Sequence, residues 1–185
     1  MRDPLKTICS RAWTDLNIDF YLNRWKYCCK AVWVPIPEKY DHTYFIDNPY
    51  IKKTREELAT GIETSACNWC WNDYKKTGHA WRDIVNKWPN GIENENIIPS
   101  LVLTFDNICD QSCLYCGPEN STKWAKELNE NIDVELNVKN HIDSLVTWIT
   151  TFNPTDHFIV QVLGGEPTYS HNFYYFLEYL KNSNI

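Results

Sequence analysis

Residues 100–118 read SLVLTFDNICDQSCLYCGP, a strand pattern that gives way to three closely spaced cysteines. The opening SLVLTFD has the apolar pattern of a buried β-strand. It runs into a loop that sets Cys109, Cys113 and Cys116 within eight positions. Thiolates bind soft metal centres, and cysteines hold iron-sulfur clusters. A cubane cluster closed entirely by protein takes four such ligands, so a C-x3-C-x2-C loop leaves one iron for another ligand, much as a catalytic zinc site keeps an open position. The loop also falls at the carboxyl end of a strand, where βα units carry their binding and catalytic groups.

Downstream the pattern alternates. STKWAKEL opens a helix with Ser121 and Thr122 as N-caps, and VKNHIDSLVTWITTF continues with Ile142, Leu145, Val146 and Ile149 at helical spacing. HFIVQVLGGEP is a second apolar strand ending in a Gly-Gly turn, and NFYYFLEYLKN is another helix. Strand, loop, helix, strand, loop, helix is the βαβα order of an α/β protein with a parallel sheet or barrel. Gly164 and Gly165 would let the backbone approach a ligand closely, and the carboxylate of Glu166, followed by Pro167, suits an ammonium group.

Upstream, AWTDLNIDFYL and WKYCCKAVWV read as two strands meeting at a hairpin turn at Asn23-Arg24, the second stopped by Pro35 and Pro37. PEKYDHTYFIDNP reads as a loop. TREELATGI predicts a helix with Thr54 as N-cap, Glu57 at the capping-box position and Gly61 as its stop. Cys67 and Cys70 follow at a helix entrance, and PNGIENENIIP is the most linker-like stretch. The expected domains are therefore residues 1–95 and 96–185.

The chain has 185 residues, 43% hydrophobic and 15% aromatic, which is ample for a core and argues against disorder. A formal charge of -6 without a basic run argues against nucleic acid as a partner. No apolar run approaches the roughly 20 residues that cross a bilayer, so no membrane association and a cytoplasmic location are expected. In that reducing compartment eight cysteines point to metal or redox chemistry rather than disulfides. His42, His79, His141, His157 and His171 are isolated and lack metal-binding spacing.

The loop Cys109-x3-Cys113-x2-Cys116, with Tyr115 before the last cysteine, resembles the signature of the radical S-adenosylmethionine (SAM) superfamily, and Gly164-Gly165-Glu166-Pro167 is similar to that family's second motif. The resemblance implies a 4Fe-4S cluster on Cys109, Cys113 and Cys116. It implies SAM chelated to the unique iron, Tyr115 near the adenine, and Gly164, Gly165, Glu166 and Pro167 at the methionine end. The implied activity is reductive cleavage of SAM to a 5'-deoxyadenosyl radical that abstracts hydrogen from a substrate, in this group often a peptide or carbohydrate. The implied electron donor is a flavodoxin or ferredoxin.

Cys9, a Cys28-Cys29 pair and Cys67-x2-Cys70 resemble the auxiliary-cluster modules called twitch or SPASM domains, which implies a second 4Fe-4S cluster on Cys9, Cys28, Cys67 and Cys70. Neighbouring strand residues face opposite ways, so only one of the pair serves, with Cys28 preferred and Cys29 the alternative. The expected fold is an α/β partial radical SAM (β/α) barrel, its first two βα units, preceded by a small α+β twitch- or SPASM-like module with a β-hairpin. Two units cannot close a barrel, so the chain is expected to be truncated or completed by another polypeptide. The rival reading is a non-catalytic zinc-binding interaction module using Cys67, Cys70, Cys113 and Cys116.

Overall fold

The computed structural model describes residues 7–41, 43–86, 100–130, 138–151 and 159–183. His42, His157 and the linker-like stretch 89–99 lie outside them. The strands are β1 (Asp15–Asp19), β2 (Arg24–Lys26), β3 (Val34–Pro35), β4 (Ser100–Thr104) and β5 (Ile159–Leu163). They form one five-stranded sheet in the order β3-β2-β1-β4-β5. The helices are α1 (Arg11–Thr14), α2 (Tyr44–Asp47), α3 (Pro49–Ala59), α4 (Asn68–Thr77), α5 (Trp81–Val85), α6 (Thr122–Leu128), α7 (Lys139–Thr151) and α8 (His171–Asn182).

Strand directions follow from what meets at the strand ends. Glu166, just past β5, donates its backbone N–H to Ile108 O, just past β4, at 2.7 Å, so β4 and β5 run parallel. Phe20, just past β1, donates to Thr104 O at the end of β4 at 2.9 Å, so β1 is parallel to β4 as well. The short return from β1 makes β2 antiparallel to it, and the sheet is mixed. The carboxyl ends of β4 and β5 thus lie side by side.

The described residues cluster into two compact units, one within Met1–Asn17 and Trp25–Leu101, the other within Ile18–Arg24 and Val102–Ile185. In the first, fully buried Trp25 receives the edges of Tyr44, Phe45 and Tyr50 at centroid distances of 5.8, 5.5 and 6.1 Å. Helix α3 begins at Asn48, whose side chain accepts from Ile51 N at 3.1 Å, with Pro49 in the first helical position. The expected start at Thr54 is therefore too late. Asn-Pro is the stronger entry signal, and Thr54 is buried inside the helix. The same start leaves Tyr44–Asp47 as a helical turn where a loop was expected.

The hairpin also departs from expectation. Its connection is the four residues 20–23, with Asn23 left-handed at φ 49° and Asp19 accepting from Leu22 N and Arg24 Nε, each at 3.0 Å. β2 stops at Lys26 because a turn closes from Ala31 N to Cys28 O at 3.0 Å. Cys28 and Cys29 are consequently turn residues, and the strand alternation expected to separate them does not operate.

In the second unit Phe105 stacks on Phe20 and meets Phe176, with centroids 5.9 and 5.4 Å apart. Helix α7 buries Ile142, Leu145, Val146 and Ile149, the stripe its spacing predicts. Each fully buried aliphatic side chain there is worth about 1.5–3 kcal/mol. His141 stacks on Phe20 at 5.6 Å, and burial pushes its pKa down, which marks a packing histidine. No helix among the described residues is long and apolar enough to cross a membrane.

Candidate functional site: two groups of cysteines

After Thr104 the chain leaves β4 without helix or strand until Pro118, and this irregular stretch carries the three-cysteine loop. Its shape comes from the start of α6. Thr122 Oγ1 donates to Cys109 O at 2.9 Å and accepts from Cys109 N at 3.1 Å, while Lys123 N reaches the same carbonyl at 3.2 Å. Trp124 Nε1 holds Cys113 O at 2.8 Å. Ser121 caps α6 as expected, accepting from Trp124 N at 3.3 Å, and its hydroxyl also donates to Gln111 O at 2.6 Å. Four residues at one helix entrance thus fix the loop's backbone on both sides of Asp110.

The Gly-Gly turn is seated directly on this loop. Gly164 has φ +126°, and a Cβ there would lie 2.5 Å from Asp106 O. At Gly165 a Cβ would lie 2.3 Å from Ile108 O and 2.7 Å from the Asn107 carbonyl. Only glycine permits that backbone-on-backbone contact. Buried Asp106 extends it by accepting from Ser170 Oγ, from Asn172 Nδ2 at 3.4 Å and, through Oδ1, from Ile108 N at 3.3 Å. Tyr169 Oη donates to Asp110 Oδ2 at 3.2 Å. Glu166 Oε1 accepts from Thr168 N and Oγ1 at 3.2 and 2.8 Å, capping the short turn Pro167–Tyr169.

Cys113 and Cys116 are neighbours: Cys116 N donates to Cys113 O at 3.0 Å. Partial burial, then the nearby Cys113 and Cys109 thiols, push the Cys116 thiol up. Cys109 Sγ accepts from Gln111 N at 3.4 Å. Leu114 and Tyr115 project into solvent, 98% and 90% exposed, so the Tyr115 ring offers a bare face at the loop tip. Cys113 beside Tyr115 raises the pKa of its phenol, which stays protonated near neutrality.

The remaining five cysteines form a second group, in the first unit. Cys9, Cys28 and Cys70 are buried, Cys67 is half-buried and Cys29 is exposed. Tyr27 Oη and Cys67 Sγ are 3.0 Å apart, which brings the Cys28 turn to the entrance of α4. Burial pushes Cys9 up to about 12 and Cys67 to about 11, each raised further by Cys70. Burial is also the first cause that raises Cys70. Within the Cys28-Cys29 pair a shared hydrogen bond lowers Cys29, helped by Lys30, Lys26 and Arg11, and raises buried Cys28. Trp71 Nε1 donates to Thr64 O at 2.9 Å, and Trp69 carries Lys30 Nζ 4.0 Å above its ring.

Among the described residues no three Cys, His, Asp or Glu side chains stand close enough together to hold a metal ion as placed. Binding at either group therefore requires the thiols to turn inward. Two observations fit such groups nonetheless. At Gly164 and Gly165 the turn lies main chain against main chain on the cysteine loop, which holds the two motifs together. Around the five-cysteine group, Arg82 Nε and Tyr50 Oη are buried without a hydrogen-bond partner among the described residues, as donors awaiting an anion would be.

Sequence reasoning missed Asp106, Asn107, Arg82, Tyr27 and Tyr50. Asp106 and Asn107 carry a readable signal, since they are the first polar pair past a buried strand. The others become visible only when elements distant in the chain meet. A scan against protein-family models, a search of curated proteins and a search of solved structures each return no match to this chain.

Proposed function

We propose that the second unit is the cluster- and SAM-binding part of a radical SAM enzyme, and that the five-cysteine group of the first unit is a second thiolate metal centre of the auxiliary 4Fe-4S kind. One observation carries the reading: the Gly164-Gly165-Glu166-Pro167 turn rests by its backbone on the Cys109–Cys116 loop, through Glu166 N to Ile108 O at 2.7 Å. Glycine at both positions is what lets the turn close main chain to main chain on the loop, so that two motifs of the same proposed site are held side by side.

In this reading Cys109, Cys113 and Cys116 hold the cluster, and Cys9, Cys67, Cys70 and Cys28 or Cys29 hold the second centre. When bound and reduced by a flavodoxin- or ferredoxin-type donor, the first cluster supplies the electron that cleaves SAM and so starts hydrogen abstraction. The chain's own work is orientation. Main-chain groups of Gly164 and Gly165 and the Glu166 carboxylate receive the ammonium end of SAM. The exposed Tyr115 ring covers the adenine side. Thr122 and Trp124 hold the cysteine loop in register, and Asp106 locks that loop to Ser170 at the head of α8.

The test is anaerobic reconstitution followed by counting metal and product. About eight iron atoms with matching sulfide per chain, and 5'-deoxyadenosine released from SAM on dithionite reduction, are expected. Cys113→Ala should halve the iron and abolish the product. Stoichiometric zinc with no bound iron would sink both halves of the reading.

A further inference from the structure

Arg82 is 3% exposed, on α5 of the first unit, which with its C-cap Asn86 meets two cysteine-bearing segments, α4 and the chain around Cys9. Its guanidinium carbon lies 3.8 Å from the centroid of Trp71 and 5.1 Å from that of Tyr74, both on α4, the helix that Cys67 caps and that carries Cys70 in its first turn. One turn further along, Asn86 grips the chain on both sides of Cys9. Its Nδ2 donates to Ile8 O at 2.8 Å and its Oδ1 accepts from Ser10 N at 2.9 Å. Tyr27, one residue before the Cys28-Cys29 turn, closes the group through Cys67 Sγ at 3.0 Å.

An arginine cannot shed its charge, so a buried one must be matched by an anion or by excellent hydrogen bonding. Here the match is poor. Among the described residues Arg82 Nε is buried without a hydrogen-bond partner, and its ion pair to Asp83 Oδ1 is long at 4.0 Å. The other oxygen of Asp83 is occupied by Ala80 N at 2.7 Å. The aromatic faces offset part of the desolvation and hold the fork in place, but they carry no net charge. Tyr50 presents a second unpartnered buried polar atom in the same neighbourhood, its ring 6.3 Å from that of Tyr27.

We propose that Arg82 is the counter-cation of a thiolate metal centre built by Cys9, Cys67 and Cys70 with Cys28 or Cys29, a positioning residue that acts on the metal through its ligands. A divalent ion with four thiolates carries a net charge of about −2, and burying it calls for nearby positive charge or donors aimed at sulfur. Arg82 supplies the charge, Tyr27 and Tyr50 the donors. The inference rests on reading this cysteine group as a metal centre, and it holds for iron-sulfur or zinc alike, since the charge comes from the thiolates.

The experiment uses the full chain with Cys109, Cys113 and Cys116 changed to Ala, so that a single thiolate centre remains, and Co2+ as the probe. Anaerobic titration reads the thiolate-to-cobalt absorption. With Arg82 present, a saturable band is expected. Arg82→Met, which keeps the stacked stem without the charge, should weaken Co2+ affinity roughly 10- to 100-fold. Arg82→Lys should recover most of it. Arg82→Gln is the second neutral variant. If either neutral variant is unfolded without metal, it is refolded with Co2+ present, and failure to regain the band while Arg82→Lys regains it supports the proposal. A neutral variant with affinity within about twofold of Arg82, in either format, overturns it. Absence of the band with Arg82 intact instead overturns the metal-centre reading itself, so the two failures are told apart.

Discussion

At Gly165 a methyl group would lie 2.3 Å from Ile108 O, a contact with backbone that no rotamer change relieves. Gly165→Ala must therefore push the turn off the cysteine loop. The expected cost is about 1–3 kcal/mol in urea unfolding, with SAM binding by equilibrium dialysis lost together with the fold's local order. Asp15 makes a pH prediction. Burial raises its pKa from 3.8 to about 6 despite the Arg11 guanidinium beside it. In the unfolded chain this carboxyl ionises first, so the folded state binds the extra proton between about pH 4 and 6 and loses relative stability as pH rises through that window. Asp15→Asn, measured against the parent chain at pH 4 and pH 7, should gain relative stability at the higher pH by up to roughly 3 kcal/mol. No gain would mean that the Arg11 pair outweighs burial. The cysteines and glycines were legible as chemistry because their types and spacing are rare. Arg82 was not, because an arginine in WRDIV reads as solvent-facing until α5 is seen lying against Trp71 and Tyr74.

The elements that build the candidate site are short, and their caps do more than end helices. Ser170 Oγ accepts from Phe173 N at 3.1 Å to start α8 and also donates to buried Asp106. Ser170→Ala removes both interactions and leaves a buried carboxylate short of a donor, so about 1–3 kcal/mol of stability should go. Ser170→Thr should retain most of it, and thermal unfolding of the two variants decides the matter. If Ser170→Ala is neutral, the link between the cysteine loop and α8 is ornamental. Strand β4 and helix α7 were readable in type and face because long apolar patterns at period 2 or 3.6 state both, whereas β5 and α8 were readable in type only: β5 leaves Ile159 and Leu163 exposed, and α8 buries Phe176 but exposes Tyr174 and Leu177. The hairpin was read less well. Alternation in WKYCCKAVWV suggested one long strand, but the Cys28–Ala31 turn interrupts it, and turns set by main-chain hydrogen bonds leave little trace in hydropathy. Asn48-Pro49 was a legible start signal for α3, overridden in the reading by the capping-box pattern at Thr54 and Glu57, where Glu57 instead pairs with Lys53 at 3.8 Å.

At the scale of the molecule, eight cysteines divide between two units, three in one and five in the other. Each set is drawn from segments that the fold brings into one neighbourhood: a loop braced by α6 and the glycine turn, and a group spanning Cys9, the Cys28-Cys29 turn and the start of α4. The parallel pair β4 and β5 explains why the first set meets the Gly-Gly-Glu-Pro turn, since motifs following parallel neighbours open on the same edge. That relation was inferable from the βαβα pattern, whereas the second group's neighbours were not, because they depend on where α5 docks. The most direct test of the central claim is the electron paramagnetic resonance spectrum of the dithionite-reduced, iron-loaded chain with and without SAM. The account predicts a reduced-cluster signal that changes on SAM addition, with the SAM-sensitive part lost in Cys113→Ala and the remainder kept. A signal indifferent to SAM, or one unaltered by Cys113→Ala, would contradict it.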